Sequence, residues 1–233
     1  RQCYPVATCH LLKRFFQIPS FTFQFYSPHV PRYRIAALLT CHNRREMTAE
    51  CLRALRAQAS PMLDFRFSMV DHNSVQHPTS NIQNQKTSII LEVFLVDDGC
   101  TDGTADAVRS VWPEAIIIRA NGNLFWCGGT REAWSKAAKT DPDYYLLLND
   151  DTVLLPKAIN SLLELCPIPQ SRTIAVGAAC DPNTKKWTYG GRQCDTPFSY
   201  RPILPRRCRA MNANCALVPR AVFSEVGMFY SVY

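Results

Sequence analysis

Two pairs of adjacent carboxylates are the residues best placed to do chemistry. Asp97 and Asp98 stand in "VFLVDDGCTDGT", and Asp150 and Asp151 in "YYLLLNDDTVLLP". Each pair closes a run of apolar residues and opens a polar turn. Neighbouring carboxylates repel, so a turn gains nothing from having two. Helix capping does not account for the second pair, because Asp151 lies five residues before Pro156, where a following helix would open. Hard cations such as Mg²⁺ and Mn²⁺ do seek clustered carboxylate oxygens. From this stretch alone, metal binding and a surface turn both fit. Asp97 and Asp98 likewise fit either an Asp-Gly turn with Gly99, or acceptors for a nucleobase N–H or ribose hydroxyls.

The elements that must position these residues can be read from apolar patterning. Strands are expected at Ile35–Thr40, Ile89–Val96, Ala115–Arg119, Tyr144–Leu148, Thr173–Ala178 and Met211–Val218. Helices are expected at Glu46–Ala59, Ala105–Val111 (begun by Thr104), Thr130–Lys139, Pro156–Leu165 and Arg220–Val226. The first has Met47, Cys51, Leu52 and Leu55 on one face. "ANGNLFWCGG" reads as a Gly-rich loop. Strand and helix alternate, which implies an α/β layer architecture with a largely parallel sheet. Ligands of such sheets bind beyond the carboxyl ends of the strands. The polar clusters fall there: Thr40-Cys41-His42-Asn43, Asp97-Asp98-Gly99, Asn121-Gly122-Asn123 and Asn149-Asp150-Asp151 each follow one of the first four strands. Randomly scattered turn residues would not favour one edge. No Gly-x-Gly-x-x-Gly follows the first strand, so this is not a dinucleotide-binding Rossmann site, and no P-loop occurs. A two-metal site remains open on carboxylates alone.

Composition sets wider bounds. The chain has 233 residues, 47% of them hydrophobic, enough for one large domain or two small ones. No apolar run is long enough for a transmembrane helix. The net charge is +7, of which residues 1–34 supply +5 through Arg1, Lys13, Arg14, Arg32 and Arg34. The remaining +2 is too little for a nucleic-acid binder. That first segment also carries Phe15, Phe16, Phe21, Phe23, Phe25 and Tyr26. Peripheral contact with an anionic membrane surface is one reading; a poorly ordered extension or a strand is the other. A polar stretch at about 70–88 reads as an insert. The eleven cysteines show no Cys-x-x-Cys and several lie in apolar segments, so buried thiols in a reducing, cytoplasmic compartment are expected.

"AALLTCHNR", "VFLVDDGCTDGTADAV", "GNLFWCGGTREAW", "YYLLLNDDTVLLP" and "MNANCALVPRAVFSEVGMF" occur in that order. Together they resemble the nucleotide-sugar-binding half of family 2 glycosyltransferases, with most likeness to the rhamnosyltransferase-like group. The resemblance covers residues of about 35–69 and 89–230. It implies a GT-A fold, a Rossmann-like, mostly parallel sheet flanked by helices, in a domain at 35–233. It also implies inverting transfer of a sugar from a UDP- or dTDP-sugar to a hydroxyl acceptor, with Mg²⁺ or Mn²⁺. The acceptor would be a glycan, a lipid-linked glycan or a protein.

By resemblance, Thr40 and His42 would lie against the nucleobase, in the cluster that ends with Asn43. Asp98, beside Asp97, would accept from the base. Asp150 would meet the ribose or the metal, and Asp151 would hold the metal on the diphosphate. Asn123, Gly128, Gly129 and Arg131 would border the sugar and diphosphate. Asn149 replaces the Asp that often opens the family's Asp-x-Asp motif, His42 stands for a Tyr and Cys100 for a Ser. The family's general base lies beyond the "EVGMF" helix, so it is expected past Tyr233, with the acceptor part incomplete. A donor-binding relative without that base, and a nucleotidyltransferase, are the competing readings.

Overall fold

The computed structural model describes residues 32–59, 88–191, 207–208 and 210–228. The basic aromatic segment 1–34 lies outside the described residues apart from Arg32–Arg34, and so does the polar insert apart from Ser88.

The strand β1 (Arg32–Cys41) is central. Its parallel neighbours are β2 (Ser88–Asp98) on one side and β4 (Tyr144–Leu148) on the other. β3 (Ile116–Ala120) extends the parallel part beyond β2. β8 (Cys215–Pro219) pairs antiparallel with β4, and the short β5 (Ala175–Val176) closes the far edge. The strand order is therefore β3-β2-β1-β4-β8-β5. A separate ribbon pairs β6 (Ala179–Cys180) with β7 (Trp187–Tyr189).

From Ile35 to Leu39, β1 is continuously apolar because both of its faces are covered there. Ile35, Ala37, Leu39 and Cys41 face one core, shared with Cys51, Leu52 and Leu55 of α1 (Arg45–Gln58), Val108 of α2 (Thr104–Val111), and Ile159, Leu162 and Leu163 of α4 (Ala158–Leu165). Ala36 and Leu38 face the other, against Ala133, Trp134 and Ala137 of α3 (Phe125–Ala137) and Val222 of α5 (Arg220–Val226). Met47, expected on the apolar face of α1, is instead exposed in its first turn.

The elements depart from expectation in three places. "FWCGG" is not a loop: α3 begins at Phe125, five residues before the expected start at Thr130. Of the strand expected at Thr173–Ala178 only Ala175–Val176 (β5) is extended, and β6 begins after it at Ala179. Residues 211–214 are a loop, and only Cys215–Pro219 is extended.

The chain runs β1, β2, β3 outward on one side of β1, then returns to β4 on the other. Connections after β1 and β4 therefore leave in opposite directions. The carboxyl end of the sheet beside β1 is therefore the edge where ligands of open α/β sheets bind.

Candidate functional site

Four loops meet at that edge. His42 follows β1, and its Nδ1 lies 2.5 Å from the Asp98 carbonyl oxygen. A carbonyl only accepts, so Nδ1 carries the proton. Nε2 is then the acceptor for the Asn43 side-chain amide, at 3.3 Å. Asn43 Oδ1 in turn accepts from the Thr101 backbone N–H at 2.8 Å. These bonds stitch the loop after β1 to the loop after β2 and fix the imidazole ring, which remains exposed.

Asp97 and Asp98 divide the work of the second loop. Asp97 is wholly buried. Parallel register sets it beside Arg119 of β3. Its Oδ2 accepts from Arg119 Nη1 at 2.5 Å, and its Oδ1 accepts from the Cys100 N–H at 2.8 Å. Asp97 thus forms an ion pair with β3 and anchors the turn after β2. Asp98 is also buried. Its Oδ1 accepts from Gly122 N–H at 2.8 Å, and its Oδ2 from Leu124 and Phe125 N–H at 3.0 and 2.9 Å. A carboxylate at a helix N-terminus answers unpaired N–H groups and the positive end of the helix dipole. This explains why α3 starts early. Asp98 thus builds the loop that carries Asn123, and its carboxylate is already occupied by the backbone.

Gly99 has φ +72°, and a Cβ there would come within 2.9 Å of Gly122 N, so the two turns touch backbone to backbone. Gly129 has a comparable reason within α3. A Cβ at Gly129 would lie 2.3 Å from Thr40 Cγ2. Thr40 is itself buried, and its side chain packs under the helix rather than opening to the edge. Gly128 and Arg131 are half-buried on the same helix, and Asn123 is exposed just before it.

The fourth loop holds Asn149, Asp150 and Asp151. The Asn149 backbone N–H donates to Asn214 O at 3.0 Å, which ties this loop to the one before β8. Trp126 Nε1–H donates to Asn149 Oδ1 at 2.9 Å. An indole only donates, so this bond fixes the amide: oxygen toward Trp126, NH₂ outward. A cleft of about 480 Å³ opens here, lined by Trp126, Asn149, Met211, Asn212, Ala213 and Asn214.

Asp150 is buried, while Asp151 is exposed. Burial pushes the Asp150 carboxyl above its usual range; the Arg44 guanidinium pulls it back down, and Asp151 pushes it further up. Arg44 Nη1 lies between the pair, 3.2 Å from Asp150 Oδ1 and 3.0 Å from Asp151 Oδ2. Thr48 Oγ1 donates to Asp150 Oδ2 at 3.4 Å. Arg44, Thr48 and Trp126 were not among the residues the sequence singled out. The signal for Arg44 was available: it follows β1 by three residues, on the rim of the switch-point crevice.

The pair passes a test of fit for a divalent cation. It already accommodates a positive group between two carboxylates. Among the described residues, no group of three or more His, Cys, Asp or Glu side chains could hold a metal ion. Mg²⁺-type sites commonly use only one or two carboxylates and complete their shell with water and substrate phosphates. Thiols do not add to the donor set: burial pushes the Cys41 thiol strongly upward, with Cys100 (Sγ to Sγ 3.8 Å) adding to the rise.

Comparison with known proteins agrees with this fold. The model of glycosyl transferase family 2 matches residues 79–226. No curated protein matches the chain. Among solved structures, the mannosyltransferase PcManGT from Pyrobaculum calidifontis, in complex with GDP-Man and Mn²⁺, superposes with a TM-score of 0.50 at 16% identity. The match covers 87% of this chain and 49% of that one. TarS from S. aureus matches at a TM-score of 0.43 and 13% identity, over 82% of this chain and 48% of that of TarS 1–349. The chain thus spans about half the length of these structures. Its mixed α/β architecture, a central sheet flanked by helices, is the GT-A type. On the family match, which takes in more than half of its residues, the chain belongs to glycosyl transferase family 2.

Proposed function

We propose that this chain binds a nucleoside-diphosphate sugar, UDP- or dTDP-linked, in the crevice between β1 and β4. The reaction this donor site would serve is inverting transfer of the sugar to a hydroxyl of a glycan, lipid-linked or protein acceptor. Within the family, the motif with Asn149 in front of two Asp residues favours the rhamnosyltransferase-like group. The observation that carries the reading is the Asp150–Asp151 pair at the switch point, with one positively charged nitrogen already between its oxygens.

Asp151, the exposed member, would hold Mg²⁺ or Mn²⁺ against the donor diphosphate, with Asp150 behind it on the ribose or the metal. When bound, the cation offsets the charge that develops on the leaving diphosphate as the glycosidic bond breaks. His42, its ring fixed at both nitrogens, offers a flat exposed face for the base. Asp98 acts on the donor through the loop it builds, holding Asn123 and the start of α3 in place. Asn149, which lines the cleft with its oxygen held by Trp126, keeps its amide NH₂ as a donor that a sugar hydroxyl or phosphate oxygen can accept from.

The test is release of nucleoside diphosphate from UDP- and dTDP-sugars in the presence of Mn²⁺. The wild-type chain is expected to release it, and Asp151→Ala to lose at least about 100-fold of that rate. Equal rates in the two would overturn the reading. Release of pyrophosphate from a nucleoside triphosphate and a sugar phosphate would replace it with nucleotidyl transfer.

A further inference from the structure

We propose that Arg44 is the resident counter-ion of the acidic pair, and that its guanidinium and a divalent cation occupy the place between Asp150 and Asp151 in turn. The inference rests on the metal reading given above and adds a residue to it.

The geometry is specific. A single nitrogen, Nη1, is shared between Asp150 Oδ1 and Asp151 Oδ2, at 3.2 and 3.0 Å. A divalent cation drawing on those two oxygens would compete with Nη1 for the same lone pairs, so the guanidinium must yield them when a cation binds. Burial supplies the reason for a resident. The Asp150 side chain is only 7% exposed, and an ionised carboxylate so placed is costly without a partner. Arg44, by contrast, has a side chain 49% exposed and stands at the start of α1 without capping it. It can swing to solvent while its backbone stays in place. Thr48 holds the other Asp150 oxygen throughout, so the carboxylate is kept aimed while its cation is exchanged.

The consequence is that Arg44 competes with metal. One of the pair's two negative charges is offset and the pair is held preformed before the donor arrives, and bare metal binds weakly because it must first displace a charge-assisted contact. Arg44 is therefore a positioning residue.

The test is titration of the full chain with Mn²⁺ alone, read as free Mn²⁺ by electron paramagnetic resonance. Arg44→Gln is expected to bind Mn²⁺ at least roughly tenfold more tightly than wild type. Arg45→Gln is the charge control, because Arg45 is exposed and pairs with Glu46, away from the acidic pair. Its gain is expected to stay below about threefold, since exposed charge is screened. Arg44→Lys keeps the charge and is expected to fall between wild type and Arg44→Gln. Thermal melts of each variant confirm that it is folded. Arg44→Gln matching Arg45→Gln, or binding more weakly than wild type, overturns the inference. If Asp151→Ala also leaves Mn²⁺ binding unchanged, the metal reading itself falls. If Asp151→Ala removes binding while Arg44→Gln matches the control, only the role of Arg44 falls.

Discussion

Asp150 carries a cost that the fold tolerates at its switch point. Its pKa is raised chiefly by burial, so the folded chain holds that proton more tightly than the unfolded chain does. Below the ordinary carboxyl range both states are protonated and the group is neutral to stability. As pH rises past about 4, the unfolded chain ionises first and gains stability relative to the fold. The cost is fully present above the folded pKa. Asp150→Asn removes it. The melting-temperature difference, variant minus wild type, is therefore expected to move in the variant's favour between about pH 4 and pH 7. A flat or falling difference in a pH series of melts would count against this account of Asp150. Not all of these residue roles were visible in the sequence. Adjacent carboxylates at the mouth of a strand signalled Asp150 and Asp151 directly. Nothing in "VDDG" separates Asp97 from Asp98. The separation comes from register, which sets Asp97 beside Arg119 and leaves Asp98 to the N–H groups of the next loop. Trp126 was hidden for a similar reason, because its bond to Asn149 joins residues 23 apart in sequence.

At the scale of elements, α3 decides how tightly the site is built. It crosses β1 where Gly129 meets Thr40, and a methyl group there has no room. Gly129→Ala is expected to destabilise by about 1–3 kcal/mol, through displacement of the helix. Gly128→Ala is the contrast. Its Cβ would meet only the side chain of Leu124, at 3.2 Å, which can give. The better helix propensity of Ala, up to about 1 kcal/mol, then offsets most of the strain. Urea unfolding of the two variants should separate them clearly; equal midpoints would contradict the packing argument. The early start of α3 was hidden in the sequence because two glycines and an Asn-Gly turn read as loop. The helix is held there by Asp98, which lies 27 residues before Phe125, and by contact with β1. Elements with strong local patterns were legible. Tyr144–Leu148 and Arg220–Val226 coincide with β4 and α5. The late strand is shorter than its expected span because Asn212 and Asn214 turn residues 211–214 into a loop that lines the cleft, with Asn214 N–H donating to Asn212 Oδ1.

At the scale of the whole molecule, the site follows from topology. A parallel sheet with its first strand in the centre must have a switch point beside that strand. The polar clusters after β1, β2, β3 and β4 were all placed at one edge from alternation alone. The strand order, which brings Arg44 after β1 against Asp150 and Asp151 after β4, was not. Long-range pairing is set by which helices cover which face, and local pattern does not carry that. We propose that this edge of the sheet is a metal-assisted nucleotide site. The measurement that tests it most directly is calorimetry of the chain with UDP, dTDP and GDP, each with and without Mn²⁺. The account expects UDP or dTDP to bind when Mn²⁺ is present and to bind far more weakly without it, because two carboxylates and a diphosphate complete the metal's shell together. No binding of any nucleotide with Mn²⁺ present, or binding indifferent to the metal, would contradict it.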